Sequence, residues 1–168
     1  MNAAIFLFLG IGWLMYQGRN NDQSGDRENV DSGATGYTFR YLGRETLGRC
    51  WDSMDTAFLI KVDQFMEESP GEWMVSPAPG ATCRDYGNET SRHYAVGRLA
   101  DAIDIMLISG DLEENYRIAL ERFGGVGVYP DWEPYPGLHI DGRPGAATWA
   151  GIKDGGIQVY VPVDEVFA

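Results

Sequence analysis

The chain has 168 residues, of which 44% are hydrophobic and 12% aromatic, enough for one domain with an appendage. Its 25 acidic residues against 13 basic ones leave a net charge of −12. That charge serves solubility and excludes a phosphate-neutralising surface, so no nucleic acid is expected as a partner. Two cysteines, Cys50 and Cys83, are too few for a disulfide scaffold or a cysteine-rich zinc site. They read as reduced thiols, with one disulfide as the alternative.

Residues 3–16, AAIFLFLGIGWLMY, carry no charge. As a helix they span about 21 Å, short of the ~30 Å hydrocarbon core of a bilayer. Their length suits the apolar region of a signal peptide, but no basic segment precedes it. Residues 1–18 are therefore expected to form a hydrophobic helix. It would serve as a membrane anchor or uncleaved signal, or pack against copies of itself or a virion partner through residues 3–16. Gly10 and Gly12 permit close helix contact, although GxG is not the GxxxG pattern. Residues 19–36, RNNDQSGDRENVDSGATG, are too polar to order themselves and read as a flexible linker. The folded domain is expected over 37–168.

Within it, Leu47, Trp51, Met54, Phe58, Val62, Phe65 and Met66 recur at three or four residues, which predicts one amphipathic helix over 46–68. Ser69-Pro70-Gly71 ends it. EWMVS (72–76) predicts a short strand and 77–90 a long loop. IDIMLI (103–108) predicts a buried strand carrying Asp104. Ser109-Gly110-Asp111 starts a helix with Leu112, Tyr116, Ala119, Leu120 and Phe123 on its apolar face, stopped by Gly124-Gly125. Two strands follow at 127–129 and 138–141, separated by the rigid loop PDWEPYPG. Residues 146–152 suggest a helical turn and 157–163 a last strand. The class is α+β, without internal repeats.

Asp104 sits in the apolar run AIDIMLI, where a carboxylate is costly unless paired or metal-bound. His139 and Asp141 lie two apart on a predicted strand and so share a face. His93 is the other of the two histidines. Two imidazoles and one carboxylate suit zinc with its fourth position open, the catalytic arrangement. Spacing alone does not single them out, because a histidine beside a strand is ordinarily satisfied structurally.

Ser91-Arg92-His93, then Ala102-Ile103-Asp104-Ile105, GVGVYP (125–130) and GLHID (137–141) with Arg143 and Trp149, follow one another in an order that resembles the M15 family of zinc peptidases. These are the D-alanyl-D-alanine carboxypeptidases and their phage endolysin relatives, whose pattern is roughly S-x-H…G-x-A-x-D-I and a later histidine in a strand such as FVHVD. The resemblance covers about 73–149. It implies a small antiparallel sheet with flanking helices (Hedgehog/DD-peptidase-like) and His93, Asp104 and His139 as ligands of Zn2+. It also implies cleavage of peptidoglycan stem peptides or cross-links. The segment VSPAPGATCR resembles the arginine-bearing stretch before the first ligand, so Arg84 is expected to steady a substrate carboxylate or oxyanion.

The sequence departs from the pattern twice. The family's His-to-Asp spacing is near seven, whereas Asp101 follows His93 by eight residues and Asp104 by eleven. Asp101 keeps the Gly97 before it. Asp104 keeps Ala102 and the following strand, and is preferred because a strand fixes a ligand rigidly. The positions of the family's acid/base are Pro136 and Gly137 here. That leaves Asp141 as the chosen base, with Glu133 or Asp131 as alternatives, and with orientation of a ligand as the competing role for Asp141.

Trp132, Tyr135 and Tyr129 would line a substrate groove or stiffen the loop. Asn88-Glu89-Thr90 matches a glycosylation sequon by coincidence. The expected function is a zinc-dependent peptidoglycan peptidase of the cell envelope or a phage virion. The alternative is a structural virion or envelope component that retains the fold and assembles through its N-terminal helix.

Overall fold

The computed structural model describes residues 36–168. The expected hydrophobic helix over 1–18, contacts through residues 3–16 and nearly all of the 19–36 linker lie outside the described residues. No helix among the described residues is long and apolar enough to cross a membrane.

The architecture is α+β. Helix α1 (Arg44–Leu47) runs into a 3-10 turn (Gly48–Ser53), followed by α2 (Thr56–Glu68), β1 (Glu72–Val75), β2 (Ala102–Ser109) and α3 (Leu112–Leu120). Strands β3 (Gly125–Tyr129), β4 (Gly137–Asp141), β5 (Ala147–Asp154) and β6 (Ile157–Val161) complete the chain with a last 3-10 turn at Val163–Glu165.

The helix expected over 46–68 is thus broken. Met54 is extended (φ −110°, ψ 150°), and the Asp55 side chain accepts a hydrogen bond from the Phe58 amide at 2.8 Å to start a new helix. The apolar periodicity survives the break because Cys50 and Leu47 before it and Phe58, Leu59, Val62, Phe65 and Met66 after it all face the core. On α2 the buried Asp63 carboxylate accepts from the Tyr37 hydroxyl (3.1 Å) and from the amides of Arg40 (3.0 Å), Tyr41 (2.8 Å) and Leu42 (3.0 Å). This fastens the incoming chain to the helix. Helix α3 is capped by Asp111, which accepts from the Glu114 amide at 2.8 Å. Its Leu120, expected on the apolar face, is exposed instead.

The strands form one sheet in the order β1-β2-β4-β3-β5-β6. It is mixed rather than antiparallel throughout, because β5 runs parallel to β3. The cause is the 142–146 loop, which carries the chain from β4 across the start of β3. A Cβ on Gly124 would collide with the Arg143 backbone beneath that crossing. Residues 146–152, expected as a helical turn, belong to β5. There Thr148, Trp149 and Ile152 favour extended backbone, and Ala147 donates from its amide to the Gly124 carbonyl at 2.8 Å.

Strand alternation divides the sheet into two faces. Ile103, Ile105, Leu107, Val126, Val128, Leu138, Ile140 and Ala150 point into the core with Phe58, Phe65 and Phe123. The other face carries Asp104, His139, Gly127 and Trp149 in a single row, paired across β2, β4, β3 and β5.

The irregular stretch from 76 to 101 lies beside this second face. Cys50 and Cys83, expected as thiols, are joined as a disulfide with Cα atoms 5.4 Å apart. The alternative of one disulfide thus holds, and the bridge ties the irregular stretch back to the 3-10 turn.

Candidate metal centre

His93 reaches the site from the irregular stretch and is buried. Its Nδ1 lies 3.0 Å from the Thr82 carbonyl oxygen. A carbonyl only accepts, so Nδ1 carries the proton and Nε2 presents a lone pair. His139 projects from β4, and its Nε2 lies 3.1 Å from Oδ2 of Asp141. That carboxylate likewise holds the proton on Nε2 and turns the Nδ1 lone pair inward.

Three electron-pair donors therefore converge. His139 Nδ1 is 3.1 Å from His93 Nε2 and 2.9 Å from Asp104 Oδ1, and His93 Nε2 is 3.4 Å from Asp104 Oδ1. Metal–ligand bonds of about 2.0–2.1 Å at a tetrahedral angle place ligand atoms roughly 3.3 Å apart. The three separations bracket that value. Lone pairs held face to face this closely repel unless a cation lies between them. The group His93, Asp104 and His139 can hold a metal ion.

Without a metal, a proton takes the cation's place among the three donors. Burial works to raise the Asp104 carboxyl, but hydrogen bonds to His139 and His93 outweigh it and leave the group below its ordinary value. Burial works to lower His139, and its bonds to Asp104 and Asp141 overcome that and raise it. Asp141 is fully buried. Burial again opposes ionisation there, and His139 and Arg143 outweigh it and hold the carboxyl well below the usual range.

Asp104, not Asp101, joins the histidines. Register explains this, because Asp104 pairs directly with His139 across β2 and β4. Asp101 instead forms an ion pair with Arg92. The residues between His93 and Asp104 include a loop where Val96 and Leu99 are exposed.

Asp141 has both oxygens engaged. Oδ1 accepts from Arg143 Nε (2.8 Å) and its amide (3.1 Å), and Oδ2 accepts from Arg143 Nη2 (2.5 Å) as well as from His139. The arrangement orients His139. Glu133 is exposed on its loop and does not wall the cavity above the donors. Asp131 accepts from the Lys153 amide at 2.7 Å, away from the cluster.

That cavity has a volume of about 620 Å³. Arg84, Arg92 and Arg143 line it, and Asp104 is its one carboxylate among the described residues. Arg92 is paired with Asp101 and Arg143 with Asp141. Among the described residues the Arg84 side chain has only the Ser91 hydroxyl, to which Nη2 donates at 2.7 Å, and its buried Nε has no partner. Two of the three arginines are thus neutralised, and among the described residues Arg84 is the lining cation left to meet an anion.

Tyr129 and Trp132 also line the cavity, with rings stacked 4.1 Å apart at 14°. Tyr135, grouped with them in sequence, does not line it. Trp149 was noted only as part of a motif, and Gln158 and Tyr160 not at all. One signal could have found them. The G-x-G alternation of β3 leaves its site face bare at Gly127, and a bare strand face invites a large ring from a neighbour.

Searches of family models, of curated proteins and of solved structures return no match to this chain.

Proposed function

We propose that the chain is a zinc-dependent peptidase acting on peptidoglycan stem peptides or cross-links, with a Hedgehog/DD-peptidase-like fold of the M15 type. The observation that carries the reading is the convergence of His93 Nε2, Asp104 Oδ1 and His139 Nδ1 on the floor of an arginine-lined recess. Two imidazoles favour zinc over magnesium or calcium, which prefer oxygen donors. Three protein ligands leave a position for substrate. When bound there, zinc supplies Lewis acidity toward an amide carbonyl.

The chain's own residues do the rest. Thr82 and Asp141 fix the two rings. Arg84, without an acidic partner among the described residues, engages a substrate carboxylate or the charge that develops on the carbonyl oxygen. Proton transfer was expected of Asp141 or Glu133. In this reading Asp141 positions His139, and Glu133 would have to approach from the exposed 130–136 loop.

One observation favours a second reading. Among the described residues the cavity wall has no carboxylate besides Asp104. A base-free site suits a virion or envelope component that binds zinc without turnover. One experiment separates the two. Zinc stoichiometry is measured for the wild type and His93→Ala, and muropeptide cleavage is followed with and without chelator. One zinc per chain with chelator-sensitive cleavage supports the peptidase. Zinc without cleavage supports the structural reading, and no zinc defeats both.

A further inference from the structure

We infer that the far end of the cavity, walled by Trp132, Gln158 and Tyr160, is a subsite for a sugar ring covalently attached to the substrate peptide. The inference rests on the peptidase reading for the near end of the ligand and adds what the peptide is joined to.

The sheet order spreads the cavity from the donor cluster on β2 and β4 to Gln158 and Tyr160 on β6, with Tyr129 and Trp149 between them. Trp149 bridges the two sides, its ring 5.3 Å from that of His139 and 5.2 Å from the Arg143 guanidinium. Gln158 and Tyr160 at the far end are uncharged. Two glycines build this end. A Cβ on Gly127 would collide with the Trp149 indole, and a Cβ on Gly151 with the Tyr129 ring. Their absence lets both rings lie flat on the sheet. Trp149 Nε1 donates to the Tyr129 hydroxyl at 2.9 Å, locking the pair. Burial pushes the Tyr129 phenol upward, so it stays protonated. Trp132 stacks on Tyr129 as a third layer.

Tyr160 stands on the edge strand β6 and is 65% exposed, so its ring is available to a ligand. Gln158 Nε2 donates to the Tyr160 hydroxyl at 2.9 Å. That bond leaves the carbonyl oxygen of the exposed Gln158 as an acceptor for a ligand.

Ring faces interleaved with neutral donors and acceptors match a pyranose, which has apolar C–H faces and a hydroxyl rim. An apolar peptide side chain would stack on the rings but leave the Gln158 amide to water. Reach agrees with this. Tyr160 lies three strand spacings from His139, about 14 Å. An extended chain covers at most about 3.6 Å per residue. A peptide of two or three residues held at the metal end falls short of Tyr160, whereas the same peptide carrying a sugar arrives there.

The test compares an N-acetylmuramoyl peptide with the same peptide lacking the sugar. Each is titrated calorimetrically into the full chain kept zinc-free with chelator, so neither is cleaved. The sugar-bearing ligand should bind about tenfold more tightly, the scale of one aromatic contact. Tyr160→Ala and Gln158→Ala should erase that difference and leave the affinity for the bare peptide unchanged. Their circular dichroism should match the wild type. Equal affinities, a preference that survives both substitutions, or binding of neither ligand overturns the subsite. Zinc-loaded cleavage separates this from the peptidase reading. A sugar preference without cleavage of either ligand keeps the subsite and removes the peptidase. Cleavage of both ligands with no sugar preference does the reverse.

Discussion

Asp104 and His139 face each other directly across β2 and β4, with 2.9 Å between Oδ1 and Nδ1. A one-residue slip of either strand would turn its own side chain, Asp104 or His139, to the core face and leave the other behind. The same ladder that places Ile103 and Ile140 in the core therefore fixes two of the three donors on the opposite face. Asp104→Ala should lower zinc affinity by more than about 100-fold, beyond the range of outer-sphere effects. Asp101→Ala removes only the Arg92 partner and should change it by less than about tenfold. Competition with a fluorescent chelator measures both. Equal losses would contradict the assignment of Asp104.

The Arg143–Asp141–His139 chain predicts an effect on metal affinity without loss of a ligand. Asp141→Asn keeps the shape but weakens the hold on the His139 Nε2 proton and on Arg143. Zinc affinity should fall by about 10–100-fold. Arg143→Ala should act in the same direction through Asp141. A base acting in catalysis alone would leave zinc affinity unchanged in Asp141→Asn, so the same titration distinguishes the roles.

The metal-free protein should have a defined pH window of stability. His139 is raised from its ordinary 6.5. Its contribution is full below that value and lost as pH rises through the folded pKa. Asp104 and Asp141 are lowered from 3.8. Their contribution is present above that value and lost as pH falls through the folded pKa values. Melting temperature with chelator should therefore be highest between about pH 4 and 6.5 and decline above neutrality. Zinc should reverse the alkaline decline, because it replaces the proton shared by the cluster. A metal-free melting temperature that rises steadily through pH 8 would contradict this.

Reduction of Cys50–Cys83 should reach the metal site. Thr82 holds the His93 ring, Ala81 accepts from the Asp104 amide at 2.8 Å, and the Arg84 amide donates to the His93 carbonyl at 2.9 Å. Cys83 stands among these residues. Cys50→Ser with Cys83→Ser should cost about 2–4 kcal/mol of stability and weaken zinc binding measurably, read by denaturation and by chelator competition. Unchanged zinc affinity after full reduction would show that the other contacts hold the segment alone.

The legible parts of the sequence were those with a local period or a chemical oddity. The strands at 103–108 and 138–141 showed as apolar runs, and Asp104 stood out as a carboxylate within one of them. The break at Met54 was hidden because the apolar period continues through it. Strand β5 was hidden because its glycine and alanines answer to Tyr129 and the core rather than to any alternation. The disulfide could be read only as an alternative, and the Thr82 contact was hidden because it lies within an irregular stretch that no period describes. The choice between Asp101 and Asp104 turned on register, which a single sequence expresses only through which residues each face must bury.

The Asp63 clamp has a mechanical consequence. Tyr37, Arg40, Tyr41 and Leu42 are fastened to one carboxylate on α2. Tension applied along the backbone ahead of Tyr37 meets this cluster of parallel hydrogen bonds before it reaches any sheet strand. The load passes into α2 and the core face, while the row of Asp104, His139 and Trp149 on the opposite face stays outside the force path.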